Sequence, residues 1–256
     1  MEIQSEPTME IEICVDSVES AIAAGKGGAS RIELCSALSE GGLTPSAGLI
    51  SAVRAAVDVD LFVMIRPRGG DFVYSDYELD VMHKDILEAK SRMADGIVLG
   101  VLNPSGEVDV ARTKPLIAAA RPLEVTFHRA FDVCQDLDRA LEDVIACGAD
   151  RILTSGGRPN ALEGMSRIAE LRHNSRSRIR IMAGGGIRVV NIRSIAVNTS
   201  VSEVHTSLSK NVEELAELGG IPSSLKGYQV FEEDVREFKA AIESIAVDRQ
   251  TGAPVR

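Results

Sequence analysis

Gly28-Ala-Ser-Arg-Ile32, Met93-Ala-Asp-Gly-Ile97 and Gly148-Ala-Asp-Arg-Ile152 are three copies of one junction. In each, the end of an amphipathic stretch turns through a small or polar residue into a run with strand character. Iterated junctions of this kind are what repeated βα units leave in a sequence. Working outward from them, strands are expected at Glu10–Val15, from Arg31, at Leu61–Arg66, Gly96–Gly100, Leu123–His128, Asp150–Thr154, Ile179–Ala183 and Glu203–Thr206. Helical periodicity fills the gaps. Ser17–Lys26 is one helix, and Thr44-Pro45 reads as the cap and first turn of a second, with Ile50, Val53 and Val57 on its apolar face. Leu79, Met82, Ile86 and Met93 mark a third. Further helices are expected near 109–120, across Leu137–Ile145, along Leu162, Met165, Ile168 and Leu171, near 189–197 and at Phe231–Ile245.

Eight such units in 256 residues predict a TIM (β/α)8 barrel in a single domain. The rival is an open doubly wound sheet, but no Gly-x-Gly-x-x-Gly follows the first strand. Residues 1–8 read as a loose tail, 9–248 as the barrel with its C-terminal helix, and 249–256 as a second tail. Residues 209–230 read as irregular.

Composition narrows the function classes. Lys plus Arg is 28 against Asp plus Glu 38, a net charge of −10, with no basic stripe. That argues against nucleic acid and anionic membrane as partners. No apolar run approaches the ~20 residues of a membrane span, and Met1–Met9 is polar and acidic, so no signal peptide is expected there. Cys14, Cys35, Cys134 and Cys147 are widely spaced, which disfavours a zinc ribbon or a disulfide scaffold and predicts free thiols in the cytoplasm, or the nucleus in a eukaryote.

Alternation along a strand assigns the polar phase to the barrel interior, because the outer phase packs on helices. Glu12, Cys14, Arg31, Glu33, Cys35, Met64, Arg66, Thr126, His128, Arg180, Met182, Glu203 and His205 then face inward. Cys14, Cys35, Arg66 and His128 end their strands, at the face where barrel active sites lie.

Several blocks closely resemble the CutC copper homeostasis family: Glu12-Ile-Cys-Val-Asp-Ser-Val-Glu-Ser20, Arg31-Ile-Glu-Leu-Cys-Ser36, Leu38-Ser-Glu-Gly-Gly42 and Val63-Met-Ile-Arg-Pro-Arg-Gly-Gly-Asp-Phe72. So do Val125-Thr-Phe-His-Arg-Ala-Phe-Asp132, Arg151-Ile-Leu-Thr-Ser-Gly156 and Met182–Ile187. The resemblance implies a TIM barrel, a cytosolic setting and a role in copper binding or tolerance, with no established reaction. It implies that Cys14 and Cys35 hold Cu(I). Thiolates are soft donors that suit this ion, although free cysteines are also common as small buried hydrophobes.

Two other readings stand beside it. A salt-bridged interior would pair Glu33 with Arg66. Alternatively, the mouth is an enzyme site for a small anionic or phosphorylated metabolite, in which His128 and Glu33 act as acid and base, Asp132 orients His128, and Arg66 and Arg68 hold the anion. Gly184-Gly185-Gly186 stands where many barrels bind phosphate through backbone amides; glycine there also suits a tight turn. Met64 and Met182 read as core, with thioether ligation as the alternative, and His205 as a satisfied interior histidine. A barrel serving as a homo-oligomeric scaffold, associating through Phe72-Val-Tyr74, is a third reading.

Overall fold

A computed structural model describes residues 9–213 and 226–251. Residues 1–8 and 252–256, which hold most of the two expected tails, lie outside them. Eight parallel strands close into one barrel in sequence order: β1 (Glu10–Val15), β2 (Arg31–Leu34), β3 (Asp60–Met64), β4 (Gly96–Leu99), β5 (Glu124–Phe127), β6 (Arg151–Thr154), β7 (Arg180–Gly184) and β8 (Glu203–Thr206), which pairs back to β1. The helices between them are α1 (Val18–Gly27), α2 (Ala47–Ala56), α3 (Asp76–Ser91), α4 (Val110–Ala120), α5 (Leu137–Cys147), α6 (Met165–Ser175) and α7 (Val189–Thr199). The last, α8 (Glu232–Thr251), lies against α1 and α7 and completes the outer ring through Val235, Phe238, Ile242 and Ile245. The expected TIM barrel is present.

The repeated junction does the same work each time. The amides of Ala29, Ala94 and Ala149 bond back to Ala24, Ala89 and Val144, closing each helix as a Schellman motif. Its left-handed position is Gly28 (φ 94°), Met93 (φ 58°) or Gly148 (φ 85°). The following polar residue caps the strand before it: Ser30 Oγ accepts from Ile11 N–H at 3.1 Å, and Asp95 and Asp150 accept from Leu61 and Val125 N–H at 2.8 Å each. Helix end and strand start are thus fixed by one five-residue unit.

Four local expectations change. Met93 is not on the α3 stripe: the helix ends at Ser91, and Met93 takes the left-handed turn position with its side chain exposed. Leu162 precedes α6 and is also exposed. Ser46, not Thr44, caps α2, accepting from Leu49 N–H at 3.2 Å; Thr44 instead exchanges hydrogen bonds with the backbone of Arg66, tying the β2 and β3 loops together. Within 209–230, β9 (Lys210–Glu213) and β10 (Lys226–Gln229) pair as an antiparallel ribbon. Short strands paired at a distance leave no periodic signal.

The outer phase of the strands, Ile11, Ile13, Val15, Ile32, Leu34, Leu61, Val63, Ile97, Val125, Phe127, Ile152 and Val204, packs with the helices in the apolar core. The interior phase is mixed, with charged residues beside a small apolar cluster of Phe62, Met64 and Val98. Gly96 admits the Phe62 ring, which a Cβ would meet at 2.5 Å, and Gly100 does the same for His128.

Candidate metal and ligand site at the barrel mouth

The lower interior is an ionic plug. Arg31 donates to Glu12 at 2.5 Å and to Glu203 at 2.7 Å, and Met182 Sδ accepts from it at 3.4 Å. Arg151, fully buried, donates to Glu203, to Thr126 at 3.1 Å and to Glu124 at 3.2 Å. The guanidinium carbons of Arg31 and Arg151 lie 4.8 and 5.2 Å from the Phe62 ring centre. Arg180, at the rim, reaches Glu124 at 2.7 Å and Glu203 at 3.4 Å. Burial alone would raise Glu12, but the hydrogen bond from His205 and the charge of Arg31 hold it down at about 2. The expected buried salt-bridge network therefore exists, one layer below the residues first expected to form it.

Above this plug the interior opens at the C-terminal strand ends into a cavity of about 390 Å³. The β1–β2 side carries the thiols. Register places Cys14 beside Glu33, and Cys35 follows directly after β2. Cys14 Sγ donates to Cys35 Sγ at 3.7 Å, and Cys35 Sγ donates to Glu33 Oε2 at 3.5 Å. Cys14 lines the cavity, whereas Cys35 is fully enclosed behind it with Phe62, Met64 and Val98. The bond with Cys35, then burial, pushes the Cys14 thiol well above its usual range. For Cys35 the Cys14 contact lowers the pKa, but burial and Glu33 outweigh it and carry it to about 12. Both are protonated thiols at neutral pH.

The two sulfurs and a Glu33 oxygen lie within 4.8 Å of one another, a spacing that could hold a metal ion. With metal–sulfur bonds of ~2.3 Å, as thiolates make to zinc, a 3.7 Å separation subtends roughly 107°. That angle is bent and leaves room for a third donor. Glu33 and the thioether of Met64 stand beside the pair; Met182 belongs to the plug.

His205 Nδ1 bonds Glu12 Oε1 at 2.7 Å and its Nε2 faces Glu33 Oε2 at 3.9 Å. It is a satisfied histidine that links the plug to the mouth. Burial opposes its charge, but Glu33 and Glu12 raise its pKa overall; burial likewise raises Glu33, against the pull of His205. His205 is therefore the basic neighbour of Glu33, and the expected Glu33–Arg66 pair does not form. Arg66 turns into its own loop region, donating to the carbonyls of Glu40 (2.9 Å), Gly42 (3.2 Å) and Gly70 (2.9 Å) and stacking on Phe72. Arg68 is committed to Glu78, Asp71 and the carbonyl of Val73.

His128 departs from the general-base reading. Burial, then the charge of Arg66, holds it down at about 3. Asp132 does not orient it: the 3-10 turn Arg129–Val133 swings Asp132 toward β6, where it bonds Arg129, Thr154, Ser155 and the amide of Gly157. Gly184 is part of β7, and a Cβ there would meet Leu153 at 2.4 Å; Gly185 and Gly186 line the cavity. Phe72 and Val73 pack on the core and Tyr74 is buried, so that loop is no free apolar patch. Cys134 and Cys147 are buried, free and absent from the mouth lining, as expected.

The CutC family model matches residues 9–210. The chain belongs to the CutC family. It is 51% identical over 197 residues to the human copper homeostasis protein cutC homolog, covering 77% of this chain and 72% of that protein. It is 48% identical over 212 residues to a CutC family protein of Xylella fastidiosa, covering 83% and 79%. A solved CutC structure from Streptococcus agalactiae superposes with a TM-score of 0.73 at 35% identity, covering 77% of this chain and 97% of that one. No helix among the described residues is long and apolar enough to cross a membrane.

Sequence reasoning missed Arg129 and Arg188 at the mouth and Arg151 in the plug. Arg151 had a signal, since it stands in the interior phase of β6. Arg129 and Arg188 lie beyond strand ends, where alternation no longer tells where a side chain points.

Proposed function

We propose that this protein binds Cu(I) through Cys14 and Cys35 and serves copper homeostasis in the cytoplasm. The observation that carries the reading is the Cys14–Cys35 sulfur separation of 3.7 Å at the mouth of a CutC barrel. Two soft sulfurs in an enclosed site suit a soft ion that accepts few ligands. Cys14 is the point of entry, since it alone of the pair lines the cavity. Loading displaces the thiol protons, so metal uptake is coupled to proton release. Glu33 or Met64 completes a bent site. Four free cysteines are in keeping with a reducing compartment.

The test is an anaerobic Cu(I) titration against a chromophoric chelator. One Cu(I) per chain is expected, with sulfur-to-copper charge-transfer absorption. The Cys14→Ser/Cys35→Ser variant loses both, while Cys134→Ser/Cys147→Ser keeps them. Unchanged affinity in the first variant would sink the proposal.

A further inference from the structure

The part of the mouth built by the loops after β3, β5 and β7 carries chemistry that copper does not use. Among the described residues three arginines, Arg66, Arg129 and Arg188, line the cavity against one carboxylate, Glu33. This occurs in a chain of net charge −10. A cleft of one sign concentrates ligands of the other.

Arg188 donates to the carbonyl of Ile187 at 2.8 Å and to Thr206 Oγ1 at 3.1 Å, and pairs with no carboxylate among the described residues. Arg129 gives Nε to Asp132, but its fork lies against the turn after β7: a Cβ on Gly185 would come within 3.3 Å of its Cζ and Nη1. Gly185 (φ 100°) and Gly186 (φ 70°) make that turn in the left-handed region, and their amides donate to no group among the described residues. The turn runs into the N-terminus of α7, where helix amides favour an anion.

A second observation is independent of the turn. A side chain more than nine-tenths buried lines the same cavity with an unpartnered nitrogen, Nε2 of His128; Arg66, equally buried, lines it too, with the Tyr74 hydroxyl beside it. His128 Nδ1 accepts from the Ala130 amide at 3.2 Å, so the neutral ring carries its proton on Nε2, as a donor. Arg66 has carbonyls as partners and no carboxylate among the described residues, which leaves a buried cation without counter-charge.

Donors from three separate elements suit a tetrahedral oxyanion better than a planar carboxylate, and about 390 Å³ fits a small metabolite. Leu38, Met64, Phe72 and Leu153 supply apolar wall for its carbon frame. We propose that the mouth binds a small phosphate monoester. The amides of Gly185 and Gly186, with Arg129 and Arg188, hold its phosphoryl oxygens, and Nε2–H of His128 and Arg66 hold its polar substituents.

Glycerol 3-phosphate and inorganic phosphate serve as probes, titrated into the metal-free, reduced full-length protein by calorimetry and followed by phosphorus NMR. Saturable binding is expected, tighter for the ester. Arg188→Ala, an exposed position, should leave the melting temperature unchanged and weaken the ester about tenfold to a hundredfold, the loss of a charge-assisted contact. The Cys14→Ser/Cys35→Ser variant should bind the ester as the parent does, so this proposal and the copper reading fail separately. No saturation at millimolar ester, equal affinity in Arg188→Ala, or acetate binding as tightly as the ester would each overturn it.

Discussion

Replacing His128 by phenylalanine should make this protein less stable at neutral pH and more stable in acid. His128 is 4% exposed, its ring tilted against that of Phe72 with centres 4.9 Å apart, and held down at about 3 by burial and by Arg66. Its folded pKa is thus below the unfolded value near 6.5. Below that pH the unfolded chain takes up a proton that the folded one refuses, so the stability His128 contributes is present above pH 6.5 and lost as pH falls toward 3. By pH 4, two and a half units down at about 1.4 kcal/mol per unit, the loss is roughly 3 kcal/mol, against a typical total of ~5–15. Phenylalanine keeps the ring but deprives the Ala130 amide of its acceptor, a pH-independent cost of about 1 kcal/mol. The two stability curves should therefore cross near pH 6, with the variant ahead by about 2 kcal/mol at pH 4. The opposite trend from His205 is common to both proteins and cancels. Urea unfolding from pH 7 to pH 4 measures the difference. Parallel curves would refute the buried, neutral imidazole.

Other expectations follow from the same geometry. Glu203→Gln removes the carboxylate shared by Arg31, Arg151 and Arg180 and should cost at least about 3 kcal/mol, read as a lower urea midpoint at unchanged slope; an unshifted midpoint would mean the plug is not ionic. Met93→Gly relieves a left-handed non-glycine residue that is exposed and should stabilise by about 1 kcal/mol in thermal unfolding. The four thiols are buried, with Cys35 pushed to about 12 and Cys134 and Cys147 to about 11. A disulfide reagent should find four reactive thiols in urea and none reacting rapidly in the native protein at neutral pH; a native burst would contradict the packing at the mouth.

Alternation along the strands was enough to sort inside from outside. Glu12, Cys14, Arg31, Glu33, Cys35, Thr126 and Glu203 all face inward because the outer phase is apolar and must meet the helices. What alternation could not supply was partnership. Glu33 and Arg66 sit on neighbouring strands in a linear reading, but β3 ends at Met64, so position 66 is loop and its side chain follows the loop carbonyls. Asp132 stands four residues after His128, a spacing that would orient the ring on a helix. A 3-10 turn carries it to β6 instead. Met93 failed by the same arithmetic, seven residues past Ile86 on a helix that had already ended. Each miss lies within a few residues of an element's end, where backbone path replaces period.

Charge gives the division of the mouth a physical reason. On the proposed function, exchanging two thiol protons for one Cu⁺ would leave the Cys14–Cys35 pair one unit more negative, in a site where Glu33 is already buried. A buried anion needs a cation close by or its ionisation fails. His205, 3.9 Å from Glu33 and braced by Glu12, is the group placed to supply it. The three arginines stand elsewhere, on the loops after β3, β5 and β7. Arg66 spends its hydrogen bonds on carbonyls, which orient a guanidinium without neutralising it. If both proposals hold, cation and anion would be met by different strand ends of one cavity: a Cu(I) ion by the sulfurs at the ends of β1 and β2, with His205 of β8 beside Glu33, and a ligand bringing its own negative charge by the arginines that follow β3, β5 and β7.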